Sequence, residues 1–250
     1  MLDAQSGIVS GVLPCGHLSA EGKLFNEFVV KEMTGEEEDL LAGQGPILPR
    51  LNRVILNCLV SLGELTERSQ LSPAVNALTM VDRMVLLICI RRASLGNTFD
   101  MEFVCPSCSA KSRASVDLSA LEVQPMEEPL LRKFESSLST GKVIKWHIMD
   151  GRDEDWLQTA QKKGKDTATL AMLARVNGIG DEVVDRGNLL KAVDMLKRLT
   201  LRERNELRGL FLKKEGSVDT TVEYACSSCG QEAKMDLDVG QPSFFFPAAM

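Results

Sequence analysis

The sequence predicts an α+β protein: a mixed α/β N-terminal part, then a four-cysteine zinc ribbon split by a mainly helical insertion. Three observations carry this expectation. Two Cys-x-x-Cys pairs, Cys105/Cys108 and Cys226/Cys229, stand in matching frames with residues 109–225, 117 in all, between them. Helix-start signals recur at Thr34, Asn188 and Thr200. Strand-like stretches precede and follow each cysteine pair.

The frames match residue for residue. Glu102-Phe103-Val104 leads into Cys105, and Glu223-Tyr224-Ala225 leads into Cys226, an acidic residue, an aromatic and an aliphatic each time. Tetrahedral zinc takes four soft ligands, and one Cys-x-x-Cys turn presents two thiolates to one ion. Cys105, Cys108, Cys226 and Cys229 are therefore the expected ligands of one structural zinc per chain. A redox role would set such a pair at a helix N-terminus after a strand, where the thiolate is stabilised. Here both pairs run into polar, strand-like segments, which favours metal. The expected divisions are residues 1–98 as the α+β region, 99–120 with 218–240 as the ribbon, 121–217 as the insertion and 241–250 as a tail.

The elements follow in order. Leu24–Lys31 alternates enough to predict a strand after a polar, Gly-rich start. Thr34-Gly35-Glu36-Glu37 predicts a capping box, its acidic run loading a first helical turn. Arg53–Leu62 is β-branched enough for a buried strand, with a helix as the alternative. From Thr79, Met80–Ser94 predicts a largely buried helix stopped by Gly96. The cysteine hairpins are expected at Phe99–Leu118 and Thr220–Leu237. Between them, Leu130–Leu138 reads as a short helix and Lys142–Met149 as a strand. Further helices are expected at Asp153–Lys163, Thr167–Asn177, Leu189–Leu199 and Leu201–Lys214, with Val176–Val184 as a loop or tight hairpin.

Composition narrows the function. The 250 residues carry a net charge of −6, 44% hydrophobic and 26% charged, which fits a globular chain without a basic footprint for nucleic acid. Residues 151–215 hold 14 Lys and Arg against 11 Asp and Glu, and aromatics for base stacking are scarce. The longest apolar run, Met84–Ile90, is far short of the ~20 residues a membrane helix needs. No secretory signal pattern opens the chain. Cys58 and Cys89 lie in apolar runs and read as buried small hydrophobes. Cys15-Gly16-His17 carries two ligand types but reads as a turn.

Catalysis finds no motif. His17 and His147 have no nucleophile in a recognisable pattern, and Asp153 with Asp155 reads as a first helical turn. Gly178-Ile179-Gly180 lacks the third glycine of a dinucleotide loop, and Gly164-Lys165-Asp166 and Gly141-Lys142-Val143 lack the rest of a phosphate loop. The chain is expected not to be an enzyme.

Several segments together resemble a known family. They are Leu13-Pro14-Cys15-Gly16, Val29-Val30-Lys31-Glu32-Met33-Thr34-Gly35-Glu36-Glu37, and Asp82 to Gly96 running into Phe103-Val104-Cys105-Pro106-Ser107-Cys108. The chain resembles the T-even-type baseplate (hub and tail-assembly) protein family of contractile-tailed bacteriophages, most closely over residues 12–150. That resemblance implies a protein made in the host cytoplasm and built into the virion tail baseplate, at the hub or inner wedge. Its implied partners are other baseplate or tail proteins, in multiple copies of a symmetric assembly, without a small-molecule substrate, a membrane or nucleic acid. An assembly chaperone absent from the virion is the alternative, and a zinc-ribbon nucleic-acid-binding protein a further one. Phe244-Phe245-Phe246 reads either as an anchor for a partner or as a tail folded on the chain's own core.

Overall fold

In the computed structural model, which describes residues 7–162 and 167–246, the chain opens with an antiparallel hairpin, β1 (Ile8–Leu18) and β2 (Leu24–Lys31). β2 fills its predicted span. β1 carries no clear strand signal because Gly11, Pro14 and Gly16 interrupt it. The pairing slips between Val12 and His17, and Gly16 takes φ 69° there. A Cβ on Gly16 would sit 2.7 Å from Phe25 O, so the approach of β2 also requires glycine. The turn expected at Pro14-Cys15-Gly16 is therefore a bulge within a strand.

Helix α1 (Gly35–Ala42) starts at the predicted Thr34/Glu37 capping box. Helix α2 (Ile47–Cys58) and strand β3 (Leu59–Leu62) correct the strand expected over Arg53–Leu62. Leu51, Val54, Ile55 and Cys58 are buried at spacings of three and four, so a helical stripe was embedded in a β-branched segment. Helix α3 (Arg68–Asn76) has no strong signal of its own. Helix α4 (Met80–Leu95) runs from a Thr79/Asp82 capping box to Gly96 at φ 83°. It packs against β1 and β2 on one side and α2 on another, which explains its nearly all-round apolar surface. Asp82 also reaches the β1 bulge, where Oδ1 accepts from Cys15 N (2.8 Å) and Gly16 N (3.1 Å).

The first cysteine hairpin is β4 (Thr98–Val104) and β5 (Lys111–Asp117), followed by β6 (Val123–Gln124). Next come β7 (Lys133–Ser137), β8 (Val143–His147), α5 (Gly151–Gln161), α6 (Thr167–Leu173), β9 (Val176–Ile179) and β10 (Glu182–Val183). Then come α7 (Leu189–Lys197), α8 (Leu201–Lys214), β11 (Ser217–Val218), the second cysteine hairpin, β12 (Thr221–Ala225) and β13 (Glu232–Asp236), and a short 3-10 turn at Pro242–Phe244.

Two predicted helices give way to strands here. Within Leu130–Leu138, Lys133–Ser137 pairs with β8, and Phe134 stacks on Trp146 with ring centroids 4.6 Å apart. The helix expected to Asn177 stops at Leu173, because Val176 pairs with Trp146 across β8. An antiparallel sheet, order β10-β9-β8-β7, thus accompanies α5 to α8 in this segment, where the sequence predicts only helices around one strand and one loop or tight hairpin. The hairpin expected at Val176–Val184 and the Asn188 and Thr200 caps are present. The Lys163 end of the predicted α5 span, Gly164-Lys165-Asp166 and the tail beyond Phe246 lie outside the described residues.

Buried side chains form two clusters. One gathers β1 to α4 with Val116, Leu118, Val222, Leu237, Val239, Phe244 and Phe245 from the hairpins and tail. The other holds Cys15 with Trp146, Leu173, Leu196, Leu207 and their neighbours between Met126 and Phe211. The chain enters and leaves the second region side by side: β6 pairs antiparallel with β11, Val123 opposite Val218. A second junction joins Thr79 to Asp150, where Gly151 N donates to Leu78 O at 3.1 Å.

Candidate metal centre

Each cysteine pair sits in a six-residue loop closing an antiparallel hairpin. Val104 lies opposite Lys111 in one, and Ala225 opposite Glu232 in the other. The loops close by the same two backbone bonds. Cys105 N donates to Ala110 O and Ser109 N to Cys105 O, both at 2.9 Å; Cys226 N donates to Gln231 O at 2.9 Å and Gly230 N to Cys226 O at 2.8 Å. Neither pair is at a helix N-terminus, the setting a redox-active pair uses. Phe103 and Tyr224, each two residues before the first cysteine, meet between the hairpins with ring centroids 3.8 Å apart.

This contact brings the loops together tip to tip. Cys105 Sγ lies 3.7 Å from Cys229 Sγ, and Cys108 Sγ lies 3.7 Å from Cys226 Sγ. All four sulfurs are within 4.8 Å of one another. Disulfides would require ~2.0 Å between sulfurs. Sulfurs at the corners of a tetrahedron ~2.3 Å from a zinc ion are about 3.8 Å apart, so the cluster fits a four-thiolate site. Cys105 and Cys226 are buried, whereas Cys108 and Cys229 are exposed.

The surroundings favour negative charge at one sulfur. Ser112, on β5, places Oγ 3.4 Å from Cys226 Sγ, and Ser228 N donates to that sulfur at 3.4 Å. The Ser112 hydroxyl first, then the loop N–H groups of Cys229 and Ser228, pull the Cys226 thiol down to about 6. Ser112 escapes sequence reasoning because it lies across the gap on the other hairpin. Its counterpart on the second hairpin is Ala233, which faces Tyr224 as Ser112 faces Phe103.

The remaining candidates lie elsewhere. Cys58 and Cys89 are buried in the first core, and Cys15 in the second, away from the four. His17 stacks on Phe25 at 6.1 Å. His147 Nε2 bonds Asp153 Oδ2 at 2.9 Å, and Asp153 Oδ1 accepts from Arg186 Nη1 at 2.7 Å, while Asp153 completes the capping box of α5. Phe244 and Phe245 are buried against the first core, and Phe244 O accepts from Arg91 Nε at 2.8 Å. Among the described residues no helix is long and apolar enough to cross a membrane.

A family model described as "T4 bacteriophage base plate protein" matches residues 22–246. The match takes in both cysteine hairpins and everything between them, a wider span than residues 12–150. No curated protein and no solved structure shows a significant match to the chain.

Proposed function

The chain belongs to the T4 bacteriophage base plate protein family, and from that premise we propose that it is a structural, non-catalytic component of the tail baseplate, at the hub or inner wedge. It acts through contacts with other tail proteins. One zinc ion at Cys105, Cys108, Cys226 and Cys229 staples it, the two hairpins forming a zinc ribbon divided by residues 121–217.

The observation that carries this reading is the four-sulfur cluster. Four thiolates leave no open position for a substrate, so a metal there supplies folding energy and not chemistry. The cluster, like the β6–β11 pair, joins the two flanks of a long intervening segment to each other. Residues 121–217 would then project as an inserted unit from a fixed base. The non-catalytic reading is supported by His147 and Asp153, the best acid–base pair available, being committed to each other, to Arg186 and to the start of α5.

Quantitative mass spectrometry of purified tails tests the placement. A fixed ratio to the tube protein that matches the symmetry of the tail is expected. Absence from tails, with abundance in infected lysate, would overturn it in favour of an assembly factor. Elemental analysis tests the metal: one zinc per chain is expected, and none in Cys108→Ser.

A further inference from the structure

Helix α8 buries Leu207 and Phe211 in the second core, with Glu203 on the same face. Both of its carboxylates are taken up by the chain itself: Glu203 by Thr140 and Lys142, and Glu206 by Ser139. At its end Lys214 is held by Glu127 and Glu128. The opposite face is exposed throughout. At about 100° per residue, Leu201, Leu212, Asn205 and Gly209 run down its middle, with Arg208 on one edge and Arg202 and Lys213 on the other. Leu201 and Leu212 are 71% and 77% exposed.

Three features of this face have no use inside the chain. Gly209 stands in the helix interior, where glycine is the poorest choice after proline. An added Cβ there would meet nothing within 4 Å, so no internal contact requires it. Positions 201, 205, 208 and 212 follow the four-three-four spacing of a helix that packs along another, and Arg208 Nη1 donates to Asn205 Oδ1 at 2.6 Å within that line. Among the described residues, Arg202, Arg208 and Lys213 have no ion-pair partner, on a chain of net charge −6.

We propose that this face seats an acidic amphipathic helix of a partner protein, lying along α8 over Leu201, Gly209 and Leu212 with its carboxylates against Arg202, Arg208 and Lys213. Glycine in the middle of the face lets the second backbone come close, and cations on both edges fix how it lies. A second copy of α8 would set these cations against their own counterparts, which opposes self-pairing. Nucleic acid would leave both leucines uncovered and finds no aromatic to stack on, since Phe211 is buried. A lipid surface would gain only two leucines. The inference rests on the proposed function only in taking the partner to be another tail protein.

The test places a photo-cross-linker in the middle of the face, Asn205→p-benzoylphenylalanine, in the full chain made in infected cells, and sequences the adducts by mass spectrometry. The expected adduct lies in another tail protein, in a segment where Asp and Glu outnumber Lys and Arg and apolar residues recur at spacings of three and four. Joint Arg202→Glu and Arg208→Glu should cut its yield at least tenfold. Gly209→Gln should do the same while raising the melting temperature, because glutamine suits a helix better and its Cβ has free space. An adduct to a second copy of the chain, to nucleic acid, to lipid or to a basic segment would overturn the proposal. So would the absence of any adduct, or a yield that either variant leaves intact. The adduct is read in infected cells whether or not the chain is later found in tails, so this proposal and the baseplate placement fail separately.

Discussion

Ser109 and Gly230 occupy the same place in the two cysteine loops, each directly after the second cysteine and each in the left-handed region, at φ 58° and 72°. Ser109 is the one non-glycine residue at positive φ among the described residues. A side chain in that conformation costs about 1–2 kcal/mol, partly offset by the ~0.5–1 kcal/mol of extra chain entropy glycine brings to the unfolded state. Ser109→Gly is therefore expected to stabilise the zinc-loaded protein by roughly 0.5–1 kcal/mol. Gly230→Ser should destabilise it by about 1 kcal/mol, through the backbone alone, since an added Cβ meets nothing within 4 Å. Denaturant unfolding of the three proteins measures both.

Ser112 touches the four-sulfur cluster without contributing a sulfur to it. Removing its hydroxyl takes away the strongest stabiliser of the Cys226 thiolate. Ser112→Ala is expected to weaken zinc binding about tenfold, the lower end for loss of a partner to a ligand. Competition with a chromophoric chelator reads this out. Cys89→Ala, buried in α4 away from the site, should bind zinc as the wild type does.

Gly151 marks the junction of the two cores. An added Cβ would lie 2.7 Å from Asn76 O and 3.2 Å from Arg83 Nη1. The first of these is a backbone atom that cannot swing away. Gly151→Ala is expected to cost about 1–3 kcal/mol, the range for overpacking, seen as a lower unfolding midpoint.

Asp153 carries a pH-dependent part of the stability. Burial raises its carboxyl pKa, but hydrogen bonds from His147 and then Arg186 outweigh burial and hold it at about 2. A depressed carboxylate stabilises the fold above its unfolded pKa of ~4, and that contribution is lost as pH falls toward 2. The shift corresponds to about 2 kcal/mol. Asp153→Asn should be less stable by that order at pH 7, and the gap to wild type should close between pH 4 and pH 2 in acid titrations of unfolding.

Phe244 closes the first core from the far end of the chain. It meets Phe99 with ring centroids 5.3 Å apart, and its carbonyl accepts from the buried Arg91. Phe244→Ala is expected to cost about 3–5 kcal/mol, as for a fully buried phenylalanine. Thermal unfolding checks it, and a loss below 1 kcal/mol would return the aromatic tail to the role of a partner anchor.

What the residues declare locally, the structure repeats. Thr34, Asn188 and Thr200 cap helices because a side-chain oxygen satisfies N–H groups two or three positions on, an interaction complete within one turn. The two cysteine frames are equally local: each loop closes by bonds within six residues, so the repeat and the four candidate ligands stand out without a fold. That both pairs serve one site followed from counting ligands, whereas the approach of the sulfurs to 3.7 Å depended on Phe103 packing against Tyr224 across the chain. Strands β1, β7 and β9 were set by tertiary structure, because a strand's hydrogen bonds go to another segment and not to itself. Val176 leaves the helical pattern only because Trp146 is there to pair with it. Ser112 beside Cys226, and Arg83 paired with Glu154, are juxtapositions of distant residues. No local pattern encodes them, and packing of the two cores alone creates them.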